Sequence, residues 1–308
     1  MKKETMNILI SIDNSYVSHA MDLVMSLKDH NDVYFNIYII YDDTLSQISI
    51  AKLNKFIIDN NIGTLKPYYF DANKLNFPVT IEHISKVTYY RLFAPFIIDE
   101  DINRLLYLDC DILCTGSIAE LYYTSFENNV IAAAKNIIQD YKKKYFNYTI
   151  SRLRLKNYDN YINAGVLLIN VLKYREFTTS QEIYNFIINN SDILVYQDQD
   201  VINKLFEDNI KIVDKIYNYQ INAIEEDYLY DECILVHYSE KTKPWKKDYP
   251  KIKAGYHYYK FLKDHGRLQE LQILLRYQHN NMATRAYNDI LEETWVNKKD
   301  DRHYYSNI

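Results

Sequence analysis

Glycine is scarce in this sequence. The 308 residues contain only five, Gly63, Gly116, Gly165, Gly255 and Gly266, and no two of them share a short loop. That excludes both the G-x-G-x-x-G turn and the P-loop, which cradle phosphates with glycine-rich backbone. A nucleotide bound here needs its phosphates neutralised in another way, and a divalent cation is the obvious one. Cysteine is sparse as well: Cys110, Cys114 and Cys233 form no C-x-x-C pair, so neither a disulfide framework nor a zinc cluster is expected. Long apolar runs are missing. The opening MKKETMNILISIDNSY has one short apolar stretch that Asp13 ends, too short for a signal peptide, and no segment approaches the roughly 20 residues of a membrane-crossing helix. The expectation is a cytoplasmic protein. Positive charge is not in excess either: the formal net charge of −5 argues against a general nucleic-acid binder, which needs a basic face.

What is present suits a large α/β domain. Hydrophobic residues make up 48% of the chain, enough for a sizeable core. The 32 tyrosines accompany many Ile, Asn and Lys, as AT-rich coding would produce, although tyrosine ring faces also stack on sugars. Apolar strands are expected at 7–12, 34–40, 65–70, 104–108, 130–134, 165–170 and 234–237. Helical spacing covers 16–28, 44–58, 83–97 (ending near Pro95), 118–121, 172–190 and 198–206. The alternation predicts a doubly wound, mainly parallel sheet flanked by helices. Residues 135–161 carry a Lys run and aromatics with no clear period, and read as a long loop or a pair of small helices. Beyond Gly255 an amphipathic pattern returns. The expected division is a catalytic domain at 1–250 and a C-terminal helical extension at 251–308.

The apolar strand LLYL, 105–108, ends in Asp109-Cys110-Asp111. Residues two apart on a strand share a face, so both carboxylates can converge just past its carboxyl end, where open α/β sheets bind ligands. Two unpaired carboxylates repel, and a cation would relieve them. The plainer alternative is one aspartate capping a turn and the other solvated. Near the last core strand stands VHYSEKTKPW, 236–245. His237 could add an imidazole ligand, favouring Mn2+, and Lys243 could meet a leaving phosphate. A hydrogen-bonded strand-end histidine and a surface lysine would look the same. YINAGVLLIN, 161–170, places Asn163 at a strand mouth beside Ala164-Gly165, as a turn would. YQDQDVIN, 196–203, offers Asp198, Gln199 and Asp200 to a sugar, or Asp198 as a helix N-cap. Arg91 sits inside an apolar helix, where its stem could pack on the core and its head reach water.

Five segments in order, ILISIDNSY, HISKVTYYRLFAP, LLYLDCDIL, YINAGVLLIN with YQDQDVIN, and HYSEKTKPW, resemble glycosyltransferase family 8. These are retaining, metal-dependent enzymes related to bacterial lipopolysaccharide galactosyl- and glucosyltransferases and to glycogenins. The resemblance spans residues 7–250 and implies the single-domain GT-A nucleotide-sugar fold. It implies Asp109, Asp111 and His237 as ligands of Mn2+, with Mg2+ a substitute, bridging the diphosphate of a UDP-sugar. Asp13 and Tyr16 match positions at the uracil and ribose. Arg91, Asn163, Asp198 and Gln199 match positions around the donor sugar, Gln199 lying beneath the anomeric carbon, and Lys243 matches the lysine that meets the diphosphate. The catalytic set would be Gln199, Asp198 and Lys243. Glu240 departs from the pattern, standing where the family has glycine three residues after the metal histidine.

The implied reaction transfers galactose or glucose from a UDP-sugar to a hydroxyl of a glycan, glycolipid or glycoprotein, giving an α-linked product. The segment 135–161 and the chain beyond Gly255 would wall the acceptor, and the tail could hold the enzyme peripherally at the inner face of the membrane. Two rivals differ in class. A haloacid-dehalogenase-like phosphatase would use Asp109 as nucleophile, but that motif follows a first strand and has Thr or Val where Leu113 stands. A catalytically inactive carbohydrate-binding relative would bind sugar without releasing UDP.

Overall fold

Three successive apolar residues, Ile8, Leu9 and Ile10, are all fully buried, which means a strand covered on both faces rather than one. This is β1 (Thr5–Ser11). In the computed structural model, which describes residues 4–71, 75, 77–78, 86–138, 140–221, 233–239, 243–246 and 255–278, it lies inside a seven-stranded sheet. The other strands are β2 (Tyr34–Tyr41), β3 (Gly63–Tyr69), β4 (Arg104–Leu108), β6 (Ile131–Ala134), β7 (Val166–Asn170) and β8 (Ile210–Val213), in the order β3-β2-β1-β4-β7-β6-β8. Every neighbouring pair is parallel except the two that β7 makes, with β4 and with β6. A second, three-stranded sheet joins β5 (Ile112–Cys114), β10 (Leu235–His237) and β9 (Tyr219–Gln220).

The helices follow their caps. α1 (Val17–His30) turns Ala20, Leu23, Val24 and Leu27 onto the sheet. Asp13, rather than Asn14 or Ser15, caps the short turn before it, accepting from the Ser15 backbone N–H at 2.8 Å. Asn14 instead accepts from Ser46 and Ser49 at the start of α2 (Gln47–Asp59), which Ser46 caps. α3 (Tyr90–Ile97) runs two residues past Pro95. α4 (Ala119–Tyr122) is one turn, and α5 (Asp140–Ile150) is the one α-helix among the described residues of 135–161. The helix expected over 172–190 is two. α6 (Val171–Phe177) stops where Thr178 becomes extended, and α7 (Ser180–Asn189) restarts behind a capping box between Thr179 and Glu182.

Two features place the site. β7 runs against its neighbours, so its N-terminal mouth lies at the carboxyl edge of β1 and β4, and the Asp109 N–H donates to Gly165 O at 2.9 Å. The small sheet aligns His237 with Ile112, next to Asp111. α8 (Asp198–Leu205) closes the far side. α9 (Tyr256–Asp264) and α10 (Leu268–Gln278) pack Leu262, Leu271 and Leu274 against Leu113 and Val236, at about 2 kcal/mol for each leucine fully buried. Arg267 bonds Asp22 of α1, whose carboxyl burial pushes up to about 6 against that pairing. The expected boundary at 250 lies outside the described residues, as does the chain beyond residue 278.

Candidate active site

The end of β4 and the start of β5 hold Asp109 and Asp111, and β10 brings His237 to them. His237 Nε2 lies 3.2 Å from Asp111 Oδ1 and 3.8 Å from Asp109 Oδ2. One donor atom from each of the three residues falls within 4.8 Å of the other two. These residues fit a divalent cation. Asp111 Oδ1 is buried and accepts no hydrogen bond, and two carboxylates with one imidazole suit Mn2+. Gly165 makes the cluster sterically feasible, because a Cβ there would sit 2.3 Å from His237 Cε1 and 2.9 Å from Asp109 Oδ2.

Each aspartate also has a cation of the chain's own. Lys243 Nζ reaches Asp111 Oδ2 at 2.5 Å and also donates to Tyr238 O. Burial alone would raise the Asp111 pKa, but the charges of Lys243 and His237 hold it well below the usual carboxylate range. Arg91, buried in α3, sends Nη2 to Asp109 Oδ1 at 3.0 Å and Nε to Asp198 Oδ2 at 3.1 Å. Its Nη1 donates to Ala164 O at 2.6 Å and its Nε to Thr88 O at 2.9 Å, while the guanidinium lies over Tyr107. The whole side chain is therefore enclosed, which excludes the plainer alternative of a head in water. Tyr16 stands at the rim, its hydroxyl pKa raised by burial and by the charges of Asp111 and Asp109.

On the α8 side, the N-cap is Gln197, with φ of 50°, and Asp198 is inside the first turn rather than at the cap. Burial pushes the Asp198 carboxyl up to about 6 against the pull of Arg91. Gln199 is held at both ends: its Oε1 accepts from Ala164 N at 3.1 Å and its Nε2 donates to Tyr161 Oη at 3.2 Å. Tyr161 also donates to Asp200 at 2.6 Å, and Asp200 accepts from the Tyr196 N–H at 2.7 Å. Asn163 does not face open space. Its Oδ1 takes the Gly165 N–H and an amide of Asn218, a residue that sequence reasoning missed. Asn218 lies in a stretch with no apolar period, beside a two-residue strand, so no pattern pointed to it. Glu240 is outside the described residues.

Asp200 gives a pH test. Burial pushes its carboxyl from 3.8 up to about 6, despite the Tyr161 hydroxyl and the Tyr196 N–H, so the fold favours its protonated form. The stability this contributes is complete below the unfolded value and is lost as pH rises through about 6. The full loss is roughly 3 kcal/mol. Asp200→Asn has no such titration. Its stability relative to the wild type is expected to improve by about that amount between pH 4 and pH 8, measured by chemical denaturation at each pH.

Comparison with known proteins bears on the family and the fold. Residues 7–249 match the family model described as Glycosyl transferase family 8. The lipopolysaccharide 1,2-glucosyltransferase of Escherichia coli K12 is 27% identical over 274 residues, covering 83% of this chain and 77% of that one. The lipopolysaccharide 1,3-galactosyltransferase of Salmonella typhimurium is 29% identical over 188 residues, covering 58% and 55%. The fold is similar to a crystal structure of the galactosyltransferase LgtC with donor and acceptor sugar analogues. The TM-score is 0.68 at 23% identity, over 92% of this chain and 100% of that one. At that identity the likeness establishes the fold, a mixed α/β GT-A arrangement.

Proposed function

This chain belongs to glycosyl transferase family 8, and on that premise we propose that it transfers galactose or glucose from a UDP-sugar to an acceptor hydroxyl, with retention and with Mn2+. The observation that carries the reading is the Asp109, Asp111 and His237 cluster at the carboxyl edge of the sheet, with Lys243 beside it. The phosphatase alternative is not favoured, because the family match covers the aspartate pair and the pair follows the fourth strand of the chain.

Asp109, Asp111 and His237 would hold the cation, which when bound supplies Lewis acidity to the departing diphosphate. Lys243 adds a positive charge to the same oxygens. Asp13 and Tyr16, at the end of β1, would border the uridine. Arg91 acts by fixing Asp109, Asp198 and the Ala164 carbonyl, which shape the donor-sugar pocket. Gln199 and Asp198 are poor covalent nucleophiles here: the amide oxygen is bound to Ala164 N, and the carboxylate is buried on Arg91. This supports front-face attack. The bond from the anomeric carbon to UDP breaks, the acceptor oxygen bonds that carbon on the same face, and its proton passes to the leaving phosphate.

The acceptor is a glycan, a lipid-linked sugar or a protein-linked sugar, received beside α5, where Tyr145 and Tyr148 are exposed. Among the described residues no helix is long and apolar enough to cross a membrane. Reaction in the cytoplasm, or peripherally at the inner membrane face, is part of the proposal. The test is UDP release from a panel of UDP-sugars, with Mn2+ and with EDTA. Release from one sugar that EDTA abolishes supports the reading and names the donor. Sugar binding with no UDP release from any donor means an inactive relative, and cleavage of an aryl phosphate ester means a phosphatase.

A further inference from the structure

The ring of His237 has a defined orientation, and its cause can be traced to one backbone group. The Gly165 N–H can only donate, and it points to Asn163 Oδ1 at 3.0 Å. That fixes which end of the Asn163 amide is oxygen, and its Nδ2 donates to Asn136 Oδ1 at 3.2 Å. Asn218 places a side-chain atom 2.9 Å from the same Asn163 oxygen, so this atom is its Nδ2. The remaining amide atom of Asn218 is therefore its oxygen, and it lies 2.8 Å from His237 Nδ1. An amide oxygen only accepts, so Nδ1 carries a proton. In the neutral ring the lone pair is then on Nε2, the nitrogen that faces Asp111 and Asp109.

We infer that Asn218 is a positioning residue for the metal site, holding His237 as the Nδ1–H tautomer through a line of amides that begins at the Gly165 N–H. The same line runs through Asn163, whose oxygen takes two donors and whose nitrogen gives one hydrogen to Asn136, so that it orients Asn218. Asn218 is fully buried and Asn163 nearly so, which keeps water from substituting for either amide. Gly165 serves twice, supplying the first N–H and, without a Cβ, leaving room for the imidazole. Partners of this kind on a ligating histidine affect metal affinity about 10- to 100-fold.

The inference rests on the proposed metal site, and its test separates the two. The ring nitrogens of His237 are observed by 15N–1H correlation NMR in protein without added metal. A proton on Nδ1 is expected, and a ring unprotonated at Nδ1 overturns the inference. Mn2+ affinity is then measured by electron paramagnetic resonance. Asn218→Leu is expected to weaken it about 10- to 100-fold. Asn218→Asp, which keeps an oxygen toward Nδ1 but loses the donor to Asn163, should keep the Nδ1 proton and bind Mn2+ more tightly than Asn218→Leu and less tightly than the wild type. A folded Asn218→Leu protein with wild-type affinity overturns the inference. If Asn218→Leu does not fold, the wild-type ring decides, and an unprotonated Nδ1 in it counts against the relay. A wild type that shows the tautomer but binds no Mn2+ overturns the metal site and leaves the ring geometry standing.

Discussion

Asp111→Asn is expected to lower metal-dependent UDP release by about a thousandfold while leaving the protein folded. The substitution keeps the size of the side chain and removes one charge from a site where that charge has two partners. Lys243 and His237 hold Asp111 ionised far below neutral pH, so the wild type presents a full carboxylate throughout its working range. An amide at this position gives the cation one neutral oxygen, or turns an N–H₂ toward it. Asp109→Asn should act in the same direction. UDP release under saturating Mn2+, beside circular dichroism of the same samples, is the measurement. Wild-type turnover in the folded variant would show that the two aspartates serve the architecture alone.

Arg91→Met is expected to cost about 3–5 kcal/mol of stability, the range for removing one partner of a buried ion pair. Its guanidinium holds Asp109 and Asp198 and the carbonyls of Ala164 and Thr88 at once, with 4% of its side chain exposed. Removal leaves Asp198 buried without a countercharge and both carbonyls short of a donor. For a chain of this size the melting temperature should fall by roughly 10 °C. Arg91→Lys should recover little, because a single ammonium cannot span four acceptors on different elements. The deficit should narrow as pH falls toward about 6 and stay level below it. Arg91 opposes the burial that raises Asp198, so without it the folded form takes up a proton more readily as pH falls. Differential scanning fluorimetry from pH 5 to 8 on both variants checks each statement.

The legible part of the site was the part written at strand spacing. Asp109 and Asp111 stand two apart at the end of an apolar run, and Arg91 is a charge inside an apolar helix; both signals are local. The reversal of β7 left no trace, because a strand buried on both faces has the same composition in either direction. Of the small sheet, only β10 was legible, as the apolar run 234–237. Its neighbours β5 and β9 have three and two residues and carry no period, and only tertiary pairing brings His237 beside Asp111. Over 172–190 the opposite happened: continuous helical spacing hid a stop whose chemistry, Thr179 with Glu182 three residues on, was present in the sequence. Asn218 was beyond reach because an amide's role depends on what its two ends face, and those neighbours lie 55 and 19 residues away.

Arg91 and Lys243 each take one oxygen of the paired aspartates, and this bears on how the enzyme is made. Proteins that fold around a structural metal unfold when it is chelated, because nothing else balances their ligands. Here the balancing charges are covalent parts of the chain. Synthesis in a manganese-starved cell would therefore still yield the native protein, held in reserve and switched on by later supply of the ion. Purification in the presence of a chelator should return folded but silent enzyme, and activity should come back on mixing with Mn2+, without a refolding step.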